Sequence, residues 1–130
     1  MYINNPGEFK DEENARQLIS FSGLSFKTMT PTDIDGILDY KNKLWIIFEL
    51  KYGNGDLPFG QELALERLCD DLHKTKPAIV IVATHSADVS QKVIAADCIV
   101  SKYRYKGKWH ELNSIKLKYF MDNFIKIYIR

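Results

Sequence analysis

The segment Leu44–Lys51, Leu-Trp-Ile-Ile-Phe-Glu-Leu-Lys, constrains the fold more than any other part of this chain. It is apolar at both odd and even positions until its last three residues. Side chains of a strand alternate between two faces, so a run of this kind is a strand covered on both sides. The run ends in Glu49 and Lys51, charges that continue a buried strand and are costly there unless something compensates them. A second run, Asp33–Tyr40, precedes it across the polar turn Lys41-Asn42-Lys43, and the two read as a hairpin.

The flanking pattern supplies the layers. Ala78–Ala83 is short, apolar and β-branched, as a central strand should be. A helix from Pro58 to about His73 carries Leu65, Leu68 and Leu72 on one face with Ala64 beside them. Asp11 is placed to cap a helix through about Phe21, and Leu24–Met29 reads as a first strand. Ser90–Ala95 reads as a short helix. Asp97–Tyr105 and Lys108–Leu112 read as a hairpin about Lys106-Gly107. From Ser114 an amphipathic helix turns Leu117, Phe120, Met121, Phe124 and Tyr128 inward. The order α-β-β-β-α-β, with a C-terminal β-hairpin and helix added, predicts an α/β fold with a mixed central sheet flanked by helices. A length of 130 residues without repeats or linkers predicts a single domain, 1–130.

Pairing the first hairpin about Asn42 makes opposite positions sum to 84, so Asp35 faces Glu49 and Asp33 faces Lys51. All four fall on one face of the sheet. Cross-strand partners lie with Cβ atoms roughly 4.5–5.5 Å apart, where two carboxylates repel unless a cation joins them. Hard oxygen ligands of this kind suit Mg²⁺ or Mn²⁺. Lys51, two residues along, brings an ammonium to the water or phosphate such a cation would activate. Gln61 heads the inward stripe of the Pro58–His73 helix, where a polar side chain would point at the sheet near Lys51; the alternative is a polar residue in water at the helix's amino end. The bland alternative is a surface hairpin with an ordinary Asp33–Lys51 ion pair.

Thr32-Asp33-Ile34-Asp35-Gly36 followed by Phe48-Glu49-Leu50-Lys51 resembles the signature of the PD-(D/E)XK nuclease superfamily, including small phage or bacterial nucleases and Holliday-junction resolvase-like members. The resemblance covers roughly Glu8 to Ala83. It implies an αβββαβ restriction-endonuclease-like core and a metal-dependent nuclease, most directly a DNA endonuclease. Asp35, Glu49, Lys51 and Gln61 would be catalytic. Asp35, Glu49, the Leu50 carbonyl and Glu12 of the first helix would hold the metal, with Asp33 a competitor for Asp35 and Glu8 and Glu13 competitors for Glu12. The alternative function is a catalytically silent module of this fold that binds DNA or a protein partner.

Lys102, Arg104 and Lys106 alternate with Tyr103 and Tyr105, a pattern suited to a nucleic-acid groove or to a solvated edge strand. His85, just past the Ala78–Ala83 run, could approach the Asp35–Glu49 region, although a loop histidine usually has no such role. Cys69 and Cys98 read as buried thiols. The net charge of +1 does not by itself mark a nucleic-acid binder. No apolar run is long enough to span a bilayer and the start lacks a signal-peptide pattern, which predicts a cytoplasmic protein without a membrane partner. A homodimer is attractive because one such centre cuts one strand.

Overall fold

The computed structural model describes residues 19–128. The chain divides into two compact units, residues 1–31 and 32–130. The first is described only from Ile19. There the predicted strand Leu24–Met29 is a tight turn closed by reciprocal backbone bonds between Phe26 and Met29, with Lys27 at φ 62°. Among the described residues no neighbouring strand extends its ladder, and Leu24, Phe26 and Met29 stay exposed. The helix predicted from Asp11 lies mostly outside the described residues, and Ile19–Phe21 at its end are not helical.

The second unit is an α/β structure with a five-stranded mixed sheet. Its elements are β1 (Gly36–Tyr40), β2 (Leu44–Tyr52), α1 (Phe59–His73), β3 (Ala78–His85), β4 (Ile99–Tyr105), β5 (Lys108–Glu111) and α2 (Leu117–Tyr128). The strands lie in sequence order, with β2 and β3 parallel and the other neighbours antiparallel. The parallel pair is joined through α1, as a parallel connection requires. In the first hairpin Gly36 pairs with Phe48 and Tyr40 with Leu44, the register expected from the sequence. Lys41 and Asn42 turn it with φ of 51° and 61°, and the Asp39 carboxylate accepts the Asn42 N–H at 2.8 Å.

Both faces of the sheet are covered. Ile47, Ala78 and Val80 pack under α1 against Leu65 and Cys69, with Leu68 and Leu72 beside them. Leu44, Ile46, Ile79 and Ile81 face the other way, toward Leu117, Phe120, Met121, Phe124 and Tyr128 of α2. Burying a side chain such as Leu65 or Ile47 contributes roughly 1.5–3 kcal/mol. Cys69 and Cys98 are buried free thiols, and burial pushes the Cys69 thiol up to about 11.

Residues 90–95 do not form the predicted helix; only a 3₁₀ turn at Ala95–Asp97 does. Asp88 accepts hydrogen bonds from the Ser90 N–H and hydroxyl, while Gln91 accepts from the Asp88 N–H. These local bonds offer the backbone an alternative to helix. No helix among the described residues is long and apolar enough to cross a membrane.

Candidate active site

The site forms where the entry to β1 meets the end of β2. Gly36 opens β1 opposite Phe48, so Asp35, one residue earlier, lies beside Glu49. The two residues exchange side chain for backbone. The Asp35 N–H donates to Glu49 Oε1 at 3.3 Å, and the Leu50 N–H donates to Asp35 Oδ2 at 2.8 Å. Each carboxylate is thereby fixed by the other strand's main chain.

Glu49 is 1% exposed, the one buried charged or polar side chain among the described residues. Its carboxyl is pushed up to about 7, first by burial and then by hydrogen bonding to, and charge repulsion from, Asp35. The Asp35 N–H and the Lys51 charge oppose the shift without cancelling it. Burial and the neighbouring Asp35 thus disfavour the ionised form of Glu49.

Lys51 shares the α1 side of β2 with Glu49. Its ammonium donates to Gln61 Oε1 at 3.0 Å, and Gln61 lies in the first turn of α1. The structure therefore brings Asp35, Glu49, Leu50, Lys51 and Gln61 together. Lys51 makes no ion pair among the described residues, so the Asp33–Lys51 bridge does not form; Asp33 is exposed and precedes the paired part of β1. Glu12 lies outside the described residues. Among those described, no three His, Cys, Asp or Glu side chains converge as a metal cluster, and the site contributes two carboxylates.

The basic residues of β4 are engaged inside the protein. Glu62, Glu66 and Asp70 recur every four residues along one face of α1. Lys102 pairs with Glu62 at 2.8 Å, the Trp109 indole N–H donates to Glu66 at 2.9 Å, and Arg104 grips Asp70 through two bonds of 3.0 and 2.7 Å. Lys102 also lies 4.4 Å from the Trp109 ring centre. Lys106, at the β4–β5 turn with φ 52°, lies over Tyr105. Lys102 and Arg104 therefore hold the β4–β5 edge to α1.

Gly36 is a site-forming residue that the motif reading leaves without a structural role. A Cβ there would lie 2.0–2.6 Å from the Phe48 ring. The absent side chain lets Phe48 lie across the strand and keeps Asp35 close to Glu49. A glycine opposite an aromatic in a hairpin is the sequence signal for such close approach. His85 ends β3 opposite Tyr52, on the sheet face away from Lys51, so it does not join the carboxylate pair.

No family model matches the chain, and no curated protein or solved structure matches it.

Proposed function

We propose that this chain is a metal-dependent nuclease of the PD-(D/E)XK type, hydrolysing phosphodiester bonds of DNA as an endonuclease. The observation that carries the reading is the reciprocal hydrogen bonding of exposed Asp35 with buried Glu49, with Lys51 on the same face. The segment β1-β2-α1-β3 would be the ββαβ part of an αβββαβ core.

The residues fit a Mg²⁺ or Mn²⁺ ion. Mg²⁺ is commonly held by one or two carboxylates with water completing its coordination. Glu49 carries a charge that its own surroundings disfavour, and a divalent cation would remove that penalty. When bound, the cation supplies Lewis-acid polarisation of a phosphoryl oxygen and an activated water.

The chain's own groups do the rest. Asp35 and Glu49 would hold the cation, with the Leu50 carbonyl beside them as the family resemblance implies. Lys51, anchored by Gln61, holds positive charge where negative charge grows on the phosphate oxygens. The amino end of α1, where Gln61 sits, adds partial positive charge next to the end of β2. Lys106 remains at the surface for phosphate contact. A second copy would be needed to cut both strands at one place.

The test is cleavage of duplex, branched and single-stranded DNA with Mg²⁺ or Mn²⁺ against the same reactions with chelator. The wild type should cleave only with metal, and Asp35→Ala/Glu49→Ala should lose both cleavage and Mn²⁺ binding. DNA binding without cleavage under all these conditions would make the chain a non-catalytic module instead.

A further inference from the structure

Strand β2 does not end at the catalytic lysine. Tyr52 follows Lys51 onto the opposite face of the sheet, and 70% of it is exposed. Its ring meets His85 edge-on, with centroids 5.9 Å apart at 72°, and the Gly53 N–H donates to the His85 carbonyl at 3.1 Å. A cavity of about 470 Å³ opens beside this pair, lined by Tyr52, His85, Ala87, Asp88, Val89, Gln91 and Val93. A second, of about 420 Å³, shares His85, Ala87, Gln91 and Val93 on its other flank. Volumes of this order hold small-molecule groups.

The lining has a particular chemistry. Ala87, Val89 and Val93 make it apolar, and Tyr52 supplies an aromatic face. His85 Nδ1 is buried and has no hydrogen-bond partner among the described residues. Buried polar atoms are nearly always satisfied, and this ring nitrogen, in a residue that lines the cavity, is not. A neutral imidazole nitrogen can donate or accept according to tautomer. A mostly apolar slot with one aromatic wall and the polar side chains of Asp88 and Gln91 suits a flat heteroaromatic ring that carries polar groups on its edge. A sugar or free phosphate would need many polar partners.

We infer that this cavity is a nucleobase subsite, taking one base of the strand whose phosphate lies at Glu49 and Lys51. The inference rests on the nuclease reading for the identity of that strand. Lys51 and Tyr52 are consecutive, so a backbone crossing the end of β2 on the α1 side passes its neighbouring base over the rim to Tyr52. A base can enter only after leaving its stack. The preferred substrate is therefore unpaired or distorted next to the cut.

The test combines binding and cleavage. Short single-stranded DNAs, each with one abasic site at a successive position, are titrated without added metal into wild type, Tyr52→Ala and Tyr52→Phe. Stacking on an aromatic side chain is worth about 5- to 150-fold in affinity per base. One abasic position should weaken wild-type binding by that factor. In Tyr52→Ala the intact DNA should bind as weakly as the abasic one, and Tyr52→Phe should behave as wild type. An abasic penalty that persists unchanged in Tyr52→Ala overturns the subsite. Metal-dependent cleavage without any Tyr52-dependent position overturns the subsite and leaves the nuclease. A Tyr52-dependent position without cleavage overturns the nuclease and leaves a base-binding cavity. Failure of every DNA to bind overturns both.

Discussion

Replacing Glu49 with glutamine removes a buried negative charge while keeping the shape and the oxygen that accepts the Asp35 N–H. The folded protein raises the Glu49 carboxyl from 4.5 to about 7, chiefly through burial. That displacement corresponds to about 3 kcal/mol at most. The sign follows from proton counting. Between these two values the folded state holds the proton and the unfolded state does not, so stability falls as pH rises through the window. Below about 4.5 both states are protonated and the two proteins should unfold alike. Above about 7 the wild type carries the full cost of ionised Glu49, and Glu49→Gln should be the more stable by up to about 3 kcal/mol. With denaturant slopes of about 1–3 kcal/mol/M, the urea midpoint should move upward by about 1–3 M. Urea unfolding of both proteins from pH 4 to 9 with chelator gives the difference, which includes the response of Asp35 to losing its charged neighbour. Mn²⁺ should then stabilise the wild type at pH 8 and leave the variant unchanged, since only a ligand bound to the folded state raises its stability. A difference that is flat across this pH range would refute the assignment of a disfavoured charge to Glu49.

Lys51→Ala should fold and bind Mn²⁺ yet lose cleavage by about 10²–10⁴-fold, the contribution of a positioned charge or proton-transfer group. Lys51→Arg should not restore it, because a guanidinium has a different shape and holds its proton. Gly36→Ala should cost about 1–3 kcal/mol by urea unfolding, since its methyl group collides with Phe48. Its Mn²⁺ affinity should fall as Asp35 is pushed from Glu49. Arg104→Ala should destabilise by about 1–3 kcal/mol through loss of its two-bond grip on Asp70, whose carboxyl that guanidinium holds below the usual range. Lys106→Ala should leave stability unchanged and reduce the salt slope of DNA binding by about one, measured by titration at several salt concentrations.

Much of the site was legible because strand periodicity is strict. The apolar run Leu44–Phe48 has to be covered on both faces, and with the turn at Lys41–Lys43 this fixes which residues oppose one another. Asp35 beside Glu49 follows from that arithmetic, as does Lys51 on the same face. The stripes of α1 and α2 were legible for the same reason, since a 3.6-residue period leaves few choices about which side chains are buried. The short segments were not. Leu24–Met29 has strand-like residues but no partner strand among the described residues to complete a ladder, and Ser90–Ala95 loses its helix to Asp88 and Gln91 side-chain bonds.

Sequence by itself determined the α/β pattern, the hairpin register and the grouping of Asp35, Glu49 and Lys51, all consequences of local geometry and periodicity. Tertiary structure alone decided what those charges meet. Whether Lys51 pairs with Asp33 or Gln61 depends on where α1 is docked, and the docked helix gives it Gln61. Whether Lys102 and Arg104 face solvent depends on the same docking, which sets Glu62 and Asp70 against them. The elevated Glu49 carboxyl is likewise a property of the assembled layers, because burial arises only when sheet and helix have closed over it. Partners separated by ten to forty residues in the chain leave no periodic trace in sequence, and only packing selects among them.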